Sequence, residues 1–408
     1  PRSMLWVPMG LGKSLTVLSA LSHARSEMLP ALVVGPKRVV RHVWSAEVEK
    51  WGFDLSVAIA DGTPKRKQKA VESGADITCI PADSLKYAVG GPWRTMIADE
   101  VTLFKNQKSA RWKLAKKIAR AAERYVGMTG SPTAGAGLID LWAQIDLLSD
   151  DNPLGDWWQF TQRHFYFDHF NRPHARKGAE DAVGDILKPW IFRRTLAEIE
   201  MPGLVTNDIV VGMNTIQRKA MQEAELEENG TFARHRTIAA GFAYEQHWSG
   251  TKETKWLGDS KVEAMQEIRR ETAGENLLVL CNFQAEADRL AAEFGAPILD
   301  GRTSAKSATA ILDDWNSGRL GMLIGNCMAM SHGLNLQSGG RRVVWFSLPV
   351  SQEVYDQAVA RLWRSGQTQT VMVDRIIAED SIDQDIARLL SKKSLSQLAL
   401  LSAEKQVS

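Results

Sequence analysis

The sequence predicts an α/β protein of two lobes, each a mainly parallel sheet flanked by helices. Three observations carry that expectation: short apolar runs alternate with helical patterning, the first run opens into a glycine-rich loop, and the alternation resumes in the second half after a polar, charge-mixed stretch. At 408 residues the chain has material for two or three domains. Hydrophobic residues make up 44% and charged residues 24%, an ordinary globular balance that argues against wholesale disorder and against a membrane protein. Fifty Lys+Arg against 48 Asp+Glu leave a net charge of +2, so contact with nucleic acid needs a local basic groove and not a generally basic surface.

Cys79, Cys281 and Cys327 lie far apart without a CxxC or a nearby His, which speaks against a zinc site or a disulfide framework and suits a reducing compartment. Apolar runs such as LLVL (277–280) are too short to span a bilayer, and the N-terminus lacks a secretory core, so the expectation is an intracellular protein, not secreted, with no membrane partner. The chain opens on Pro1 and meets its first motif at once, so its natural start is expected further upstream. Of fourteen tryptophans, Trp44, Trp51, Trp142 and Trp190 sit among apolar residues and read as core packing.

LWVPMGLGKSLTVLSALSHA (5–24) reads as a strand, a glycine-rich loop and an amphipathic helix. Gly10 and Gly12 let backbone N–H groups close on an anion, and the helix offers its positive end. Lys13 can then reach the β and γ phosphates of a nucleotide, and Ser14 can ligate Mg²⁺. A strict phosphate loop would have Gly where this chain has Val7. ALVVGPKRVVRHVWSAEVEKW (31–51) is a second strand and helix, and DITCIPADSL (76–85) and TMIADEVTLFKN (95–106) are further strands ending in polar residues. Asp99 and Glu100 close one of them; one carboxylate can hold Mg²⁺ while the other orients and deprotonates a water. ERYVGMTGSPTAG (123–135) ends in Thr129 and Ser131, hydroxyls that either sense those carboxylates or cap a turn.

Residues 213–256 read as a solvated helical hairpin between the lobes or, alternatively, a DNA-separating wedge, and the predicted division is 1–200, a helical segment 201–256, and 257–408. From 274 to 386 strands and helices alternate again, without a phosphate loop. The last of these helices is predicted to run through Gln367, which puts Gln357, Arg361 and Arg364 of QAVARLWRSGQ on one face. That stripe is either a solvated surface or aimed at phosphate. The basic runs KRKQK (65–69) and RWKLAKKIARAAER (111–124) are open to the same two readings.

Taken in order, MGLGKS, LVVGPKRVVRHVWSAEVEKW, IADEVTLFKN, GMTGSPTAGAGLIDLWAQIDLL, LKPWIFRRTLAEI, KVEAMQEIRRE, LLVLCNFQAEADRL, ILDGRTSAKSATAILDDWNSG, SHGLNLQSGGRRVVWFSLP and QAVARLWRSGQ resemble the motif series of superfamily-two helicases, most closely the Swi/Snf-type DNA translocases and their compact viral and bacterial members. The resemblance implies two RecA-like lobes facing each other across a nucleotide cleft, and a monomeric, ATP- and Mg²⁺-dependent motor that tracks along DNA, duplex favoured, in the cytoplasm of a bacterium or a virus-infected host. It implies nucleotide binding by Gly10, Leu11, Gly12, Lys13, Ser14, Leu15 and Gly333, with Ser14 and Asp99 on the metal. Catalysis falls to Lys13, Asp99, Glu100 and Gln357, with Arg361 and Arg364 as arginine fingers and Thr129 and Ser131 as coupling residues. Lys37, Arg38, Asn282, Phe283, Arg302, Thr303 and Asn326 are the implied DNA contacts. The family's acidic pair before MGLGK is Val7-Pro8 here, its DEAH box is DEVT, and Met328 stands where many members carry arginine. The upstream glutamine segment that reads adenine is not in this sequence, so preference for ATP over GTP rests on the resemblance. Two rivals remain: a strand-separating or branch-remodelling helicase, and a nucleotide-gated DNA clamp with little hydrolysis, suggested by Val7-Pro8 and DEVT.

Overall fold

The computed structural model describes residues 2–8, 10–133, 137–193, 201–226, 232–246, 252–330, 334, 336–364 and 366–391. They divide into two compact units between residues 200 and 201.

The first unit is built on seven strands: β1 (Arg2–Trp6), β2 (Ala31–Gly35), β3 (Val57–Ile59), β4 (Ile77–Pro81), β5 (Thr95–Asp99), β6 (Arg124–Thr129) and, after a small antiparallel hairpin of β7 (Phe165–Phe167) and β8 (Pro173–Ala175), β9 (Ile191–Arg193). They pair in parallel in the order β3-β4-β2-β5-β6-β1-β9. ALVVG in β2 and ITCIP in β4 are buried along their whole length, as continuous apolar runs must be when helices cover both faces of a parallel sheet. One face packs Trp6, Met96, Phe104 and Tyr125; the other packs Leu18, Leu21, Val33, Trp44 and Ile97. Because β1, β6 and β5 are neighbours, the loop after β1, the turn after β6 and the acidic end of β5 meet at one edge. That edge is the carboxyl end of the strands, where open α/β sheets collect ligands.

The second unit holds β10 (Leu204–Val211), the antiparallel hairpin β11 (Phe242–Gln246) and β12 (Lys252–Trp256), then β13 (Leu277–Cys281), β14 (Ile298–Leu299), β15 (Met322–Asn326), β16 (Arg342–Trp345) and β17 (Val371–Ala378). Its parallel sheet runs β10-β17-β16-β13-β15-β14. Two sequence expectations are corrected here. Residues 201–256 are not a helical segment apart: β10 is an edge strand of the second sheet, and Phe242–Gln246 and Lys252–Trp256 pair antiparallel after the helices Thr215–Leu226 and Phe232–Ala239. The edge strand was hidden because LVTNDIVV is mostly exposed and carries an acid in mid-strand; Asp208 is answered by Arg375 directly opposite it on β17, at 2.5 and 2.7 Å. Trp51, expected in the core, is 49% exposed at the end of its helix.

Among the described residues no helix is long and apolar enough to cross a membrane. The three cysteines are buried and free.

Lys261 on the helix Ser260–Glu271 is buried with Asp383, Nζ to Oδ2 2.6 Å, while Asp383 also accepts the Ala378 N–H and Lys261 donates to the Phe346 carbonyl. Removing one member strands the other charge in a dry site. Lys261→Ala is expected to lower the unfolding free energy by about 3–5 kcal/mol, read as an earlier urea midpoint at unchanged slope. Lys261→Met with Asp383→Leu removes both charges and is expected to restore part of that loss.

Candidate nucleotide site and strand-end residues

The loop after β1 leads into the helix Lys13–His23. Gly10 and Gly12 adopt left-handed φ of 78° and 79°; a Cβ at Gly12 would meet nothing, so backbone conformation and not space demands glycine there. The helix has no side-chain cap and no acid in its first turn, and its first intrahelical bond runs from Thr16 N–H to the Gly12 carbonyl. The N–H groups of Ser14 and Leu15 therefore lack an intrahelical acceptor, and with the helix dipole they suit an anion. Lys13 folds back over the loop, Nζ to the Val7 carbonyl at 2.8 Å and the Pro8 carbonyl at 3.3 Å. Where the strict pattern uses glycine, Val7 thus contributes its backbone oxygen.

Asp99 ends β5 with its carboxyl held by the Trp44 indole, Nε1 to Oδ2 2.8 Å. Gly35 lets the strands approach: a Cβ there would stand 3.1 Å from the Asp99 carbonyl. Burial pushes the Asp99 carboxyl up to about 6; the Trp44 bond opposes this, Glu100 adds to it and Lys13 opposes it. Glu100 takes a left-handed φ of 72°, strained for a residue with a Cβ. The strain is held by its N–H on the Met128 carbonyl at 3.1 Å and by two hydroxyls on Oε1, Thr129 at 2.6 Å and Thr102 at 3.1 Å. The Thr129 oxygen in turn accepts the Ser131 N–H at 3.0 Å. The two carboxylates diverge into separate hydrogen-bond settings, with Thr129 on Glu100 and Ser131 linked to it only through Thr129.

An uncapped helix end, a hydroxyl at Ser14 and one part-buried carboxylate fit a magnesium–nucleotide pair, since Mg²⁺ takes few protein ligands and completes its shell with phosphate and water. Among the described residues no group of three or more His, Cys, Asp or Glu gathers to hold a metal by protein donors alone.

In the second unit the helix Gln352–Val359 stops short of the predicted Gln367. The Arg361 N–H bonds the Ala358 carbonyl and the Leu362 N–H the Val359 carbonyl, a tightened last turn, so Arg361 and Arg364 lie beyond the helix and not on its face. Arg361 caps that end: Nε donates to the Gln357 carbonyl at 3.0 Å and Nη1 to the Leu334 carbonyl at 3.1 Å. Burial and the nearby Arg364 pull its pKa down to about 10. An anion would offset both effects. Gln357 is buried, with Nε2 on Glu353 at 3.2 Å and an Oε1 that lacks a partner among the described residues.

The residues implied as DNA contacts have the following surroundings. Lys37 is exposed, 3.9 Å from Asp61. Asn282 is spent within the fold: Nδ2 donates to the Ser347 carbonyl at 2.7 Å and Oδ1 accepts from the Cys327 thiol at 3.1 Å. Asn326 Nδ2 donates to the Asn282 carbonyl, and Thr303 Oγ1 to the Ile298 carbonyl, each at 3.1 Å. Arg302 is forked over Asp288 and Asp300, which hold its pKa above the usual arginine range. The Phe283 ring packs on Phe242 and Arg236. Gly333 and the Arg38 side chain lie outside the described residues. Sequence reasoning missed Trp44 as the partner of Asp99, because its apolar neighbours signalled only burial; it also passed over the exposed aromatic residues near β7 and β8.

A family model described as the SNF2-related domain matches residues 3–270, and one described as the helicase conserved C-terminal domain matches residues 260–366. A protein named p41 of Acyrthosiphon pisum secondary endosymbiont phage 1 is 26% identical over 99% of this chain and 95% of its own length. A Mycoplasma pneumoniae protein named as an ATP-dependent helicase is 26% identical over 94% of this chain and 39% of its own length. The ISWI chromatin-remodeling complex ATPase ISW1 of Saccharomyces cerevisiae is 22% identical over 96% and 38%. The chain therefore spans about two fifths of the latter two. The Sulfolobus solfataricus SWI2/SNF2 ATPase core in complex with dsDNA is 21% identical over 98% of this chain and 88% of that one, with a TM-score of 0.44.

Asp356, one turn before Ala360, accepts Gln352 Nε2 at 2.7 Å, yet burial pushes its carboxyl up to about 7. The folded chain then holds a proton that the unfolded chain releases near pH ~4. Stability is expected to fall as pH rises from about 4 to 7, by up to about 1.4 kcal/mol per unit, and to level off above. Denaturant unfolding across that range should show the slope, and Asp356→Asn should reduce it.

Proposed function

The chain belongs to the SNF2-related family, and on that premise we propose that it is a DNA-stimulated ATPase that moves along duplex DNA. The observation that carries this reading is the meeting, on three neighbouring strand ends, of an uncapped helix terminus with Lys13, a part-buried Asp99 held by Trp44, and a Glu100 fixed by Thr129. The relatives named as an ATP-dependent helicase and a remodelling ATPase support it.

In this reading the N–H groups of Ser14 and Leu15 and the Lys13 ammonium hold the phosphates of ATP, for which Lys13 exchanges the Val7 and Pro8 carbonyls. Bound Mg²⁺ supplies charge neutralisation on the phosphate oxygens, with Ser14 and Asp99 as its protein donors. With Oε1 taken by two hydroxyls, Glu100 presents Oε2 to the attacking water and accepts its proton as the terminal phosphoryl group leaves ADP. Movement of the Ser131 segment perturbs Glu100 through Thr129, which suits coupling. Arg361 and Arg364 serve in this reading as arginine fingers that offset the charge developing during transfer. The clamp reading loses ground because Glu100 is already held in a defined pose. Three separate, buried thiols support a reducing cytoplasm as the place of work. Of the implied backbone contacts whose side chains are described, Lys37 keeps a more open cation than Arg302.

ATP hydrolysis measured with blunt duplex, single-stranded and branched DNA tests the reading. Duplex is expected to raise the rate. Lys13→Ala and Glu100→Gln should each lower it by about a hundred-fold or more, and Arg361→Ala or Arg364→Ala by about a thousand-fold, with Arg361→Ala also melting earlier because it loses the bonds to the Gln357 and Leu334 carbonyls. Equal low rates in wild type and all variants would establish the clamp instead.

A further inference from the structure

The segment from Trp157 to Lys177 takes no part in the nucleotide site, yet it gathers five exposed aromatic side chains: Trp157, Trp158, Tyr166, Phe167 and Phe170. The helix Trp157–His164 starts in an Asp156 capping box and runs straight into β7, where buried Phe165 anchors the hairpin. Beyond that anchor the hairpin turns its rings outward, Phe170 at the tip being 65% exposed.

The tip is rigidly built. Asp168 Oδ1 accepts the N–H groups of Phe170 and Arg172, both at 2.9 Å, and its Oδ2 lies 3.2 Å from His174 Nε2. The main chain closes from Asp168 N–H to the Arg172 carbonyl at 3.1 Å, and Asn171 takes the left-handed φ of 58° that asparagine tolerates. The rings are arranged before any partner arrives: Tyr166 stacks on His174 with centroids 5.2 Å apart and planes 19° from parallel, and the Arg172 guanidinium lies 5.2 Å from the Phe170 ring.

Charge identifies the partner. From Arg163 to Lys177 the cations are Arg163, Arg172, Arg176 and Lys177, and the one carboxylate, Asp168, is consumed inside the turn. An apolar protein surface would leave these cations unanswered, whereas unpaired nucleotides offer flat base faces and phosphates together. We propose that the β7–β8 hairpin is a base-stacking tip that engages unpaired nucleotides, with Tyr166 and Phe170 receiving bases and the flanking arginines meeting the strand's phosphates. The proposal rests on the DNA-motor reading and gives that motor a second contact, used where a duplex opens into single strands.

Binding by fluorescence anisotropy to a blunt duplex, a single-stranded oligonucleotide and a fork with 2-aminopurine beside its junction tests this. Tyr166→Ala with Phe170→Ala should weaken binding to the single strand and the fork roughly ten-fold and abolish the fluorescence change at the junction. Duplex affinity and duplex-stimulated hydrolysis should stay unchanged. Phe170→Trp is expected to bind like wild type and Phe170→Leu like the alanine variant, which separates stacking from mere apolar bulk. Unaltered fork binding by the double variant, full function in Phe170→Leu, or an equal loss on blunt duplex would each overturn the proposal. Hydrolysis by wild type that ignores every form of DNA would instead bring down the motor reading.

Discussion

A short contact between the Thr129 hydroxyl and the Glu100 carboxylate, 2.6 Å long, ties the ends of two adjacent strands together. The geometry at the acidic end of β5 depends on it. Glu100 occupies a backbone conformation that costs about 1–2 kcal/mol, and it persists because β6 supplies both the Met128 carbonyl for its N–H and the hydroxyl for its carboxylate. The parallel register that sets Asp99 beside Met128 puts Thr129 within reach of the next residue. Sheet order thus becomes side-chain geometry, and one carboxylate turns toward Trp44 while its neighbour turns toward Thr129.

The glycine-rich loop and the helix start after β1 were legible because their signals are local. Gly10, Gly12 and Lys13 sit within four residues, and a loop that needs left-handed backbone and an open helix end announces itself in spacing. Asp99 and Glu100 were legible for the same reason, as polar residues that close an apolar run. Trp44 was not, because the contact joins positions 55 residues apart and its neighbours describe only burial. Edge strand β10 escaped because half-exposed strands carry mixed sequences, and the Asp208–Arg375 pair exists only once the register is known.

The second unit shows where helical periodicity misleads. Reading Gln357, Arg361 and Arg364 as one face assumed a helix through Gln367, but the chain tightens after Val359 and Arg361 folds back to cap it. The residues remain grouped by a turn and not by a stripe. Likewise polar residues at strand ends suggested backbone contacts to a ligand, yet Asn282, Thr303 and Asn326 donate to the Ser347, Ile298 and Asn282 carbonyls of their own unit. In a buried α/β sheet such groups must find partners, and the fold often supplies them first.

The Lys261–Asp383 pair also says something about where this polypeptide can be shortened. Asp383 sits near the start of the helical stretch 382–391, so that stretch is latched inward by an ion pair and by the Ala378 amide. A cut made just ahead of it would look, on a secondary-structure map, like the trimming of a terminal appendage. It would instead open a hole lined by an ammonium group, and the boundary for any minimal fragment therefore lies beyond that helix.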